Sequence, residues 1–229
     1  MGGALTALAP DLDRSVLGVP GMNYSTLLRR SVDFDEYAEL PTLGLYDNYP
    51  NELERPLILG LMQMLWDRGE ANGYAAHMTG DPYPNTPKHN VLLHPAVGDH
   101  QVANLTAEVM ARTIGARVLQ PALNAGRHWQ SDPFFKIPAI GGLPYSGSAM
   151  VYWDGGPTSF TGDQGGGSGV APIENVPPRP ENGYGDDPHS YPRWAPEAQK
   201  QMSDWLMPNG AIKQPCSAGV CYSNGYTGP

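Results

Sequence analysis

The amino-acid sequence predicts an α/β fold in which helices cover a mostly parallel sheet. Two short apolar runs, at residues 14–21 and 89–98, lack a regular alternation of apolar and polar side chains, which is typical of parallel strands buried on both faces. Stretches with helical periodicity lie on either side of these runs. The 28 Gly and 24 Pro among 229 residues indicate extensive irregular loops, and the length fits one domain or part of one.

The N-terminal third is predicted to be helical on both sides of its strand. Residues 2–9 are small and apolar and end before Pro10, which disfavours helix in the residue that precedes it. From 24 to 78, leucine, methionine and tryptophan recur at three- and four-residue spacings with breaks at prolines, and this pattern predicts two or three helices. We expect the apolar side chains of this stretch, including Met62 and Met64, to pack against the sheet, and the lining of a substrate cleft is the alternative.

The second strand leads into the most regular part of the sequence. After residues 89–98 come an acidic loop and an amphipathic helix at 104–114 that ends at Gly115. A third strand is predicted at 148–153. Residues 155–188, rich in Gly and Pro, are predicted to form a long irregular loop near the site.

The C-terminal part is predicted to be a helix at 196–206 followed by an extended tail at 208–229. Cys216 and Cys221 are the two cysteines of the sequence, and the Gly-containing spacer between them can close a small disulfide loop. Two free thiols on a frayed tail are the alternative. The disulfide indicates an oxidising compartment, so we expect a secreted or periplasmic protein.

Charge and hydropathy argue against several partners. The formal net charge is -9 and lysine and arginine form no cluster, so nucleic acid is not an expected partner. No run of 18 apolar residues occurs, so no membrane span is predicted. The Gly-rich stretch at 165–169 lacks the Lys-Ser/Thr and the following helix of a phosphate-binding loop, and no cofactor is predicted.

Two residues are candidates for acid–base chemistry because of their positions. Asp99 follows the second strand directly after Gly98, where loops beyond strand ends carry functional groups. His189 lies on a proline-stiffened loop before the last helix, where an imidazole can act as a general base near neutral pH. An aspartate that caps the following helix and an ordinary exposed loop histidine are the alternatives.

The order of these elements resembles the C-terminal half of the α/β-hydrolase superfamily, in which the triad runs Ser, Asp, His along the chain. Gly-Asp-His-Gln-Val at 98–102 resembles the acid loop after the seventh strand, and Asp-Pro-His-Ser-Tyr-Pro-Arg at 187–193 resembles the histidine loop. The resemblance implies that Asp99 is the triad acid and His189 the triad base. It covers 1–207, and the stretch 24–78 corresponds to a cap or lid.

The resemblance also implies a helix after the nucleophile elbow at the start of the chain, and a sixth strand at 14–21. No Gly-x-Ser-x-Gly occurs in the sequence, so the nucleophile is expected on an upstream segment or on a second chain that completes the sheet. Ser25, Ser146 and Ser148 lack the Gly-flanked turn of a nucleophile. This chain alone is therefore not expected to hydrolyse a substrate.

The expected activity is hydrolysis of carboxylic esters of the esterase or lipase type, with a small-molecule or lipid-like ester as substrate. It depends on analogy with the fold. The alternative is a non-catalytic binding or structural fragment, whose recognition surface would use aromatic loop residues; these are Tyr83, Tyr184, Tyr191, Trp194 and Tyr226.

Other histidines are given lesser roles. A metal site of His94, Asp99 and His100 is disfavoured because His94 lies within a strand, where side chains alternate between faces. His77, His89 and His128 have no carboxylate at ligand spacing and are expected to be solvated.

Overall fold

The computed structural model describes residues 1–128, 130–156, 187–217 and 219–228. They form an α/β fold around a four-stranded sheet in which all neighbouring strands are parallel. The strands are β1 (Arg14–Gly18), β2 (Asn90–His94), β3 (Arg117–Val118) and β4 (Ala149–Met150). Their order across the sheet is β1-β2-β4-β3, so β2 and β4 are central and β1 lies at one edge.

Nine α-helices accompany this sheet in the described residues, and short 3-10 turns connect several of them. The α-helices are α1 (Gly2–Leu8), α2 (Tyr24–Leu27), α3 (Asp35–Ala38), α4 (Leu45–Asn48), α5 (Arg55–Trp66), α6 (Ala75–Thr79), α7 (Asn104–Ile114), α8 (Tyr191–Trp194) and α9 (Pro196–Leu206). The 3-10 turns span Leu28–Arg30, Val32–Phe34, Ala71–Tyr74 and Pro188–Ser190.

Two apolar clusters, one on each face of the sheet, form the core. Val91 and Leu93 of β2 belong to the cluster that contains residues of α1, α6 and α7. Leu92, between them, belongs to the second cluster, which contains residues of α9 and of the C-terminal tail. Successive side chains of a strand point to opposite faces, which explains why the apolar run at 89–98 is continuous.

The predicted elements agree with the structure best where the apolar pattern is long. The first and last predicted helices correspond to α1 and α9, and the helix at 104–114 corresponds to α7, which ends at the left-handed Gly115. Of the strand predicted at 148–153, the part that forms β4 is Ala149–Met150, and Trp153 forms a further parallel bridge with Ala96. The strand β3 was not predicted.

The stretch 24–78 differs from the prediction in two ways. It contains five short α-helices, from α2 to α6, rather than two or three, because its prolines, glycines and capping groups interrupt it repeatedly. The expectation that Met62 and Met64 pack against the sheet is also wrong, since both side chains are exposed. The buried side chains of α5 are instead those of Leu59 and the polar Gln63.

The C-terminal tail is not an extended appendage. Tyr145 and Ile212 pair in an antiparallel bridge, and Ile212 is fully buried in the second apolar cluster. Cys216 and Cys221 are buried in the same cluster and form the predicted disulfide. Apolar side chains at these positions recover more free energy by covering the sheet than by remaining in water. Most of the predicted loop at 155–188 lies outside the described residues.

Candidate active site

The acid loop begins where β2 ends. Gly98 has a φ of 77°, a left-handed conformation that glycine adopts without the steric cost of a Cβ atom. Its N–H donates to Asn104 Oδ1 over 2.9 Å, and the Asn104 side chain also donates to the carbonyl of Ala96. Asn104 is buried at the start of α7, so it holds both sides of the turn that presents Asp99.

Asp99 is buried, with 1% of its surface exposed. Its Oδ1 accepts the backbone N–H groups of Gln101 at 2.9 Å and Val102 at 2.8 Å. This is the turn geometry expected of an aspartate that precedes a helix. The capping role and the proposed triad role are therefore not exclusive, because the second oxygen remains available to another donor.

The histidine loop is attached to the acid loop through Asp187. Asp187 Oδ1 accepts the backbone N–H of His189 at 3.0 Å and that of His100 at 3.1 Å. Its Oδ2 accepts the side-chain amide of Gln101 at 2.8 Å. One carboxylate thus joins two loops that are about ninety residues apart in sequence. Asp187 was not among the predicted site residues, although an aspartate before Pro-His is a recognisable cap for a helical turn.

His189 and Asp99 are in direct contact. Nδ1 of His189 lies 2.9 Å from Oδ2 and 3.0 Å from Oδ1 of Asp99. A carboxylate only accepts hydrogen bonds, so Nδ1 carries the proton and donates it. In the neutral ring Nε2 is then the acceptor, and within the described part of the chain no group hydrogen-bonds to it. The pair has the geometry that orients an imidazole for general base chemistry.

The two groups shift each other's pKa values. Burial raises the pKa of Asp99 to about 6, and the hydrogen bond and charge of His189 oppose that rise. For His189, burial lowers the pKa, but the hydrogen bond and the charge of Asp99 outweigh burial, so the net shift is upward. At neutral pH Asp99 is therefore ionised and can stabilise the protonated imidazole.

A cavity of about 520 Å³ lies beside the acid loop, and Gln101 and Val102 form part of its wall. The start of α1, the end of β1, α2 and the turn near Asp33 form other parts of the wall. Burial raises the pKa of Asp33, the charge of Asp187 adds to this, and the charge of His189 opposes it. The electrostatic influence of His189 thus extends to a residue that lines the cavity.

The other sequence candidates lie elsewhere. His94 Nε2 lies 2.5 Å from Gln201 Oε1 of α9, on the face of the sheet against Trp153, and burial lowers the pKa of His94 to about 4. In the described ranges, no three His, Cys, Asp or Glu residues are grouped so that they could hold a metal ion. Ser148 precedes β4 and its Oγ accepts the N–H of Val91, which places it at the opposite end of the sheet from Asp99.

The side chains of two histidines expected to be solvated are buried, so that expectation is wrong for them. His89 is completely buried, and its ring nitrogens lie 3.2 Å from the carbonyl oxygen of Met78 and 3.0 Å from that of Ala9. His128 Nε2 lies 2.7 Å from Glu108 Oε1, which also accepts the hydroxyl of Tyr152. These contacts join residues far apart in sequence, so no local spacing could reveal them.

The aromatic loop residues do not form one surface. Tyr191, Trp194 and Tyr226 line a cavity of about 640 Å³ next to the disulfide, together with Tyr222. Tyr83 lies elsewhere, stacked on His77 with ring centroids 4.1 Å apart, and Tyr184 lies outside the described residues.

No helix in the described residues is long and apolar enough to cross a membrane. Comparison of the chain with family models, curated proteins and solved structures finds no match.

Proposed function

We propose that this chain carries the acid and the base of a serine-dependent α/β-hydrolase. The observation that carries the proposal is the contact between His189 Nδ1 and the buried carboxylate of Asp99. Such a contact orients the imidazole and stabilises its protonated form. Its place supports the proposal, because Asp99 lies beyond the C-terminal end of a parallel strand, where α/β proteins place their ligands and reacting groups.

The sheet supports a partial α/β-hydrolase fold. The strand that precedes Asp99, β2, lies between β1 and β4, and His189 follows β4 in the chain. This agrees with the superfamily order of sixth strand, acid strand and histidine strand on which the resemblance depends. We assign α2 to α6 to the cap that the resemblance implies.

The nucleophile is proposed to come from an upstream segment or a second chain that pairs with β1. The bonds between β1 and β2 use the carbonyl of Asp13 and the N–H of Val19. Backbone groups alternate in direction along a parallel strand, so the groups of Val16 face the opposite edge. No described strand pairs with that edge, and a strand added there would end beside the cavity near the acid loop.

In the proposed reaction, a serine hydroxyl attacks the ester carbonyl while Nε2 of His189 takes its proton. The imidazolium, stabilised by Asp99, then protonates the departing alkoxide. Water attacks the resulting acyl-enzyme, again with His189 as the base, and releases the acid. Leu17, Leu27 and Met110 line the cavity, which favours a small-molecule or lipid-like ester with an apolar acyl group.

The test is covalent labelling of the full-length gene product with a fluorophosphonate, which reacts with activated serines. We expect labelling, with the modified serine outside residues 1–229 and in a Gly-x-Ser-x-Gly sequence. Asp99→Asn is expected to slow ester turnover about 10⁴-fold, and His189→Ala is expected to abolish labelling. The surface variant Glu197→Gln is the control and should change neither turnover nor labelling. Failure to label, or labelling that survives His189→Ala, would refute the proposal.

A binding function is the second candidate, and one observation favours it. Trp194 is 73% exposed at the rim of the aromatic cavity near the disulfide. Exposed tryptophan and tyrosine beside a concave surface are typical of recognition sites. A full-length product that lacks esterase activity and serine labelling, but whose Trp194 fluorescence responds to a ligand, would favour this function.

The disulfide supports a secreted or periplasmic location, because such bonds persist in oxidising compartments. Proteomic detection of the intact disulfide peptide in culture supernatant or periplasmic extract tests this part of the proposal.

A further inference from the structure

The helix α5 has its polar side chains turned toward the protein. Gln63 accepts the N–H of Ser25 at 2.9 Å and donates to Asp67 and Glu70. Glu70, which follows the helix, accepts the N–H of Tyr24. The inner side of α5 is thus attached through this hydrogen-bond network together with the buried Leu59 and the edge-to-face contact between Trp66 and Tyr24.

The outer side of α5 is apolar and exposed. Leu57 is 70% exposed, Leu61 64%, Met64 70% and Leu65 66%. No charged residue occurs between Arg55 and Asp67. Residues three and four apart lie together on a helix surface, so these side chains form one continuous stripe. Contiguous apolar surfaces of this kind mark interaction sites in soluble proteins.

The stripe is symmetric about Leu61 and has charges of opposite sign at its ends. Glu54, Leu57, Leu61, Leu65 and Arg68 follow one another at intervals of three, four, four and three residues, so they lie on one face of the helix and are spaced symmetrically about Leu61. Both charged residues are exposed, and each is seven positions from the central leucine. In the described part of the chain, neither forms an ion pair.

We propose that this stripe is the contact surface for a second copy of the chain, with the two α5 helices antiparallel. A two-fold axis through the middle of the stripe places Leu61 against Leu61 of the second copy. Leu57 then faces Leu65 of the second copy, and Glu54 faces its Arg68. Such self-complementarity, in which residue i contacts j and j contacts i, is the requirement for a symmetric dimer.

Other features of α5 fit this arrangement. Gly60 is exposed beside the stripe, and a Cβ placed on it would meet nothing within 4 Å, so a neighbouring helix can approach closely. Antiparallel packing also sets the positive N-terminus of each helix dipole beside the negative C-terminus of the other. The net charge of -9 and the lack of a basic cluster disfavour an anionic lipid surface as the occupant.

The first test measures association of the 229-residue chain by sedimentation equilibrium. The chain is expected to form a dimer. Leu61→Glu would bury two like charges at the axis, so it is expected to raise the dissociation constant of the dimer at least about 100-fold. Leu206→Glu is the matched control, because Leu206 is an exposed leucine on α9. A monomer at high concentration, or equal effects of both variants, would overturn the proposal.

Charge reversal distinguishes the stripe from association through the free edge of β1. Glu54→Arg and Arg68→Glu are each expected to weaken the dimer about tenfold or more, because each sets like charges opposite one another twice. The double variant restores both pairs and should recover most of the affinity. If the chain associates through the sheet edge instead, neither single change nor their combination will matter, and the proposal is wrong.

A cysteine cross-link tests the symmetry directly. Both native cysteines are joined in a disulfide, so an introduced thiol reacts without competition. Leu61→Cys lies at the proposed axis and is expected to form a disulfide-linked dimer under mild oxidation. Leu53→Cys, more exposed in the native chain but eight residues from the axis, should cross-link much more slowly. The reverse order of rates would contradict the antiparallel arrangement.

Discussion

Replacing Asp99 with asparagine should reverse the direction in which the pKa of His189 is shifted. The substitution retains the shape of the side chain, and the amide oxygen of the introduced asparagine can still accept the N–H groups of Gln101 and Val102. It removes the negative charge whose oxygens lie 2.9 and 3.0 Å from Nδ1. With that charge gone, burial becomes the dominant influence on His189, so its pKa should fall below the ordinary value of about 6.5.

The size of the change follows from the contact distance. An opposite charge at this range raises the pKa of a partner by about 1–3 units, and one unit corresponds to about 1.4 kcal/mol. Asp99→Asn should therefore remove about 1.4–4 kcal/mol of stabilisation of the imidazolium. In the native chain this stabilisation requires an ionised Asp99, so it is lost as the pH falls through the Asp99 pKa of about 6. It is also lost as the pH rises through the elevated pKa of His189, where the imidazole loses its proton.

Nitrogen NMR of the imidazole ring as a function of pH measures this pKa, and loss of one signal in His189→Gln identifies the residue among the six histidines. Asp187→Asn is the graded comparison, since Asp187 contacts the backbone of His189 and its charge is a smaller influence on the ring. A pKa unchanged by Asp99→Asn, or lowered more by Asp187→Asn, would refute the assignment of Asp99 as the orienting acid.

Three further predictions concern stability, measured by urea unfolding of the 229-residue chain. The double variant Cys216→Ser, Cys221→Ser should lower the free energy of unfolding by about 2 kcal/mol, because the unfolded chain gains the entropy of the short loop that the disulfide closes. A reductant should reproduce this loss. An unchanged urea midpoint would contradict the role of the disulfide in holding the tail. Gly98→Ala should lower the free energy of unfolding by about 1–2 kcal/mol, because residue 98 has a left-handed backbone conformation. Gly18→Ala is the control and should be close to neutral, because a Cβ there meets nothing within 4 Å. Equal losses in the two variants would contradict a backbone strain at residue 98. Arg127→Met should lower the free energy of unfolding by about 3–5 kcal/mol, because it leaves the buried carboxylate of Asp154 without the guanidinium that contacts both its oxygens. Adding Asp154→Asn should recover part of this stability, because it removes the unpaired charge. If nothing is recovered, the loss came from packing.

The candidate site was predictable because its residues follow predictable elements. A continuous apolar run that stops at a glycine predicts a buried strand, and the carboxylate after it lies at the edge of the sheet. His189 follows the last strand candidate and precedes a helix. The contact between Asp99 and His189 then agrees with the positions of the two loops, although the role of the pair in catalysis stays a prediction.

The supports of the site were not predictable in the same way. Asp187 and Asn104 hold the two loops through bonds to backbone groups, some of them many residues away. A polar residue in a loop has many possible partners, and local sequence does not choose among them. The burial of His89 and His128 was missed for the same reason, since their partners are brought near only by the packing of separate elements.

The sequence by itself predicted the α/β fold class, the places of α1, β1, β2, α7 and α9, the positions of Asp99 and His189 on loops beside these elements, and the short disulfide. These follow from periodicity and from groups close together in the chain. Only the tertiary structure decided which face of α5 turns inward, where the tail packs and which histidines are buried. The free energy of those choices comes from apolar area removed from water and from long-range hydrogen bonds, which depend on the whole arrangement rather than on neighbouring residues.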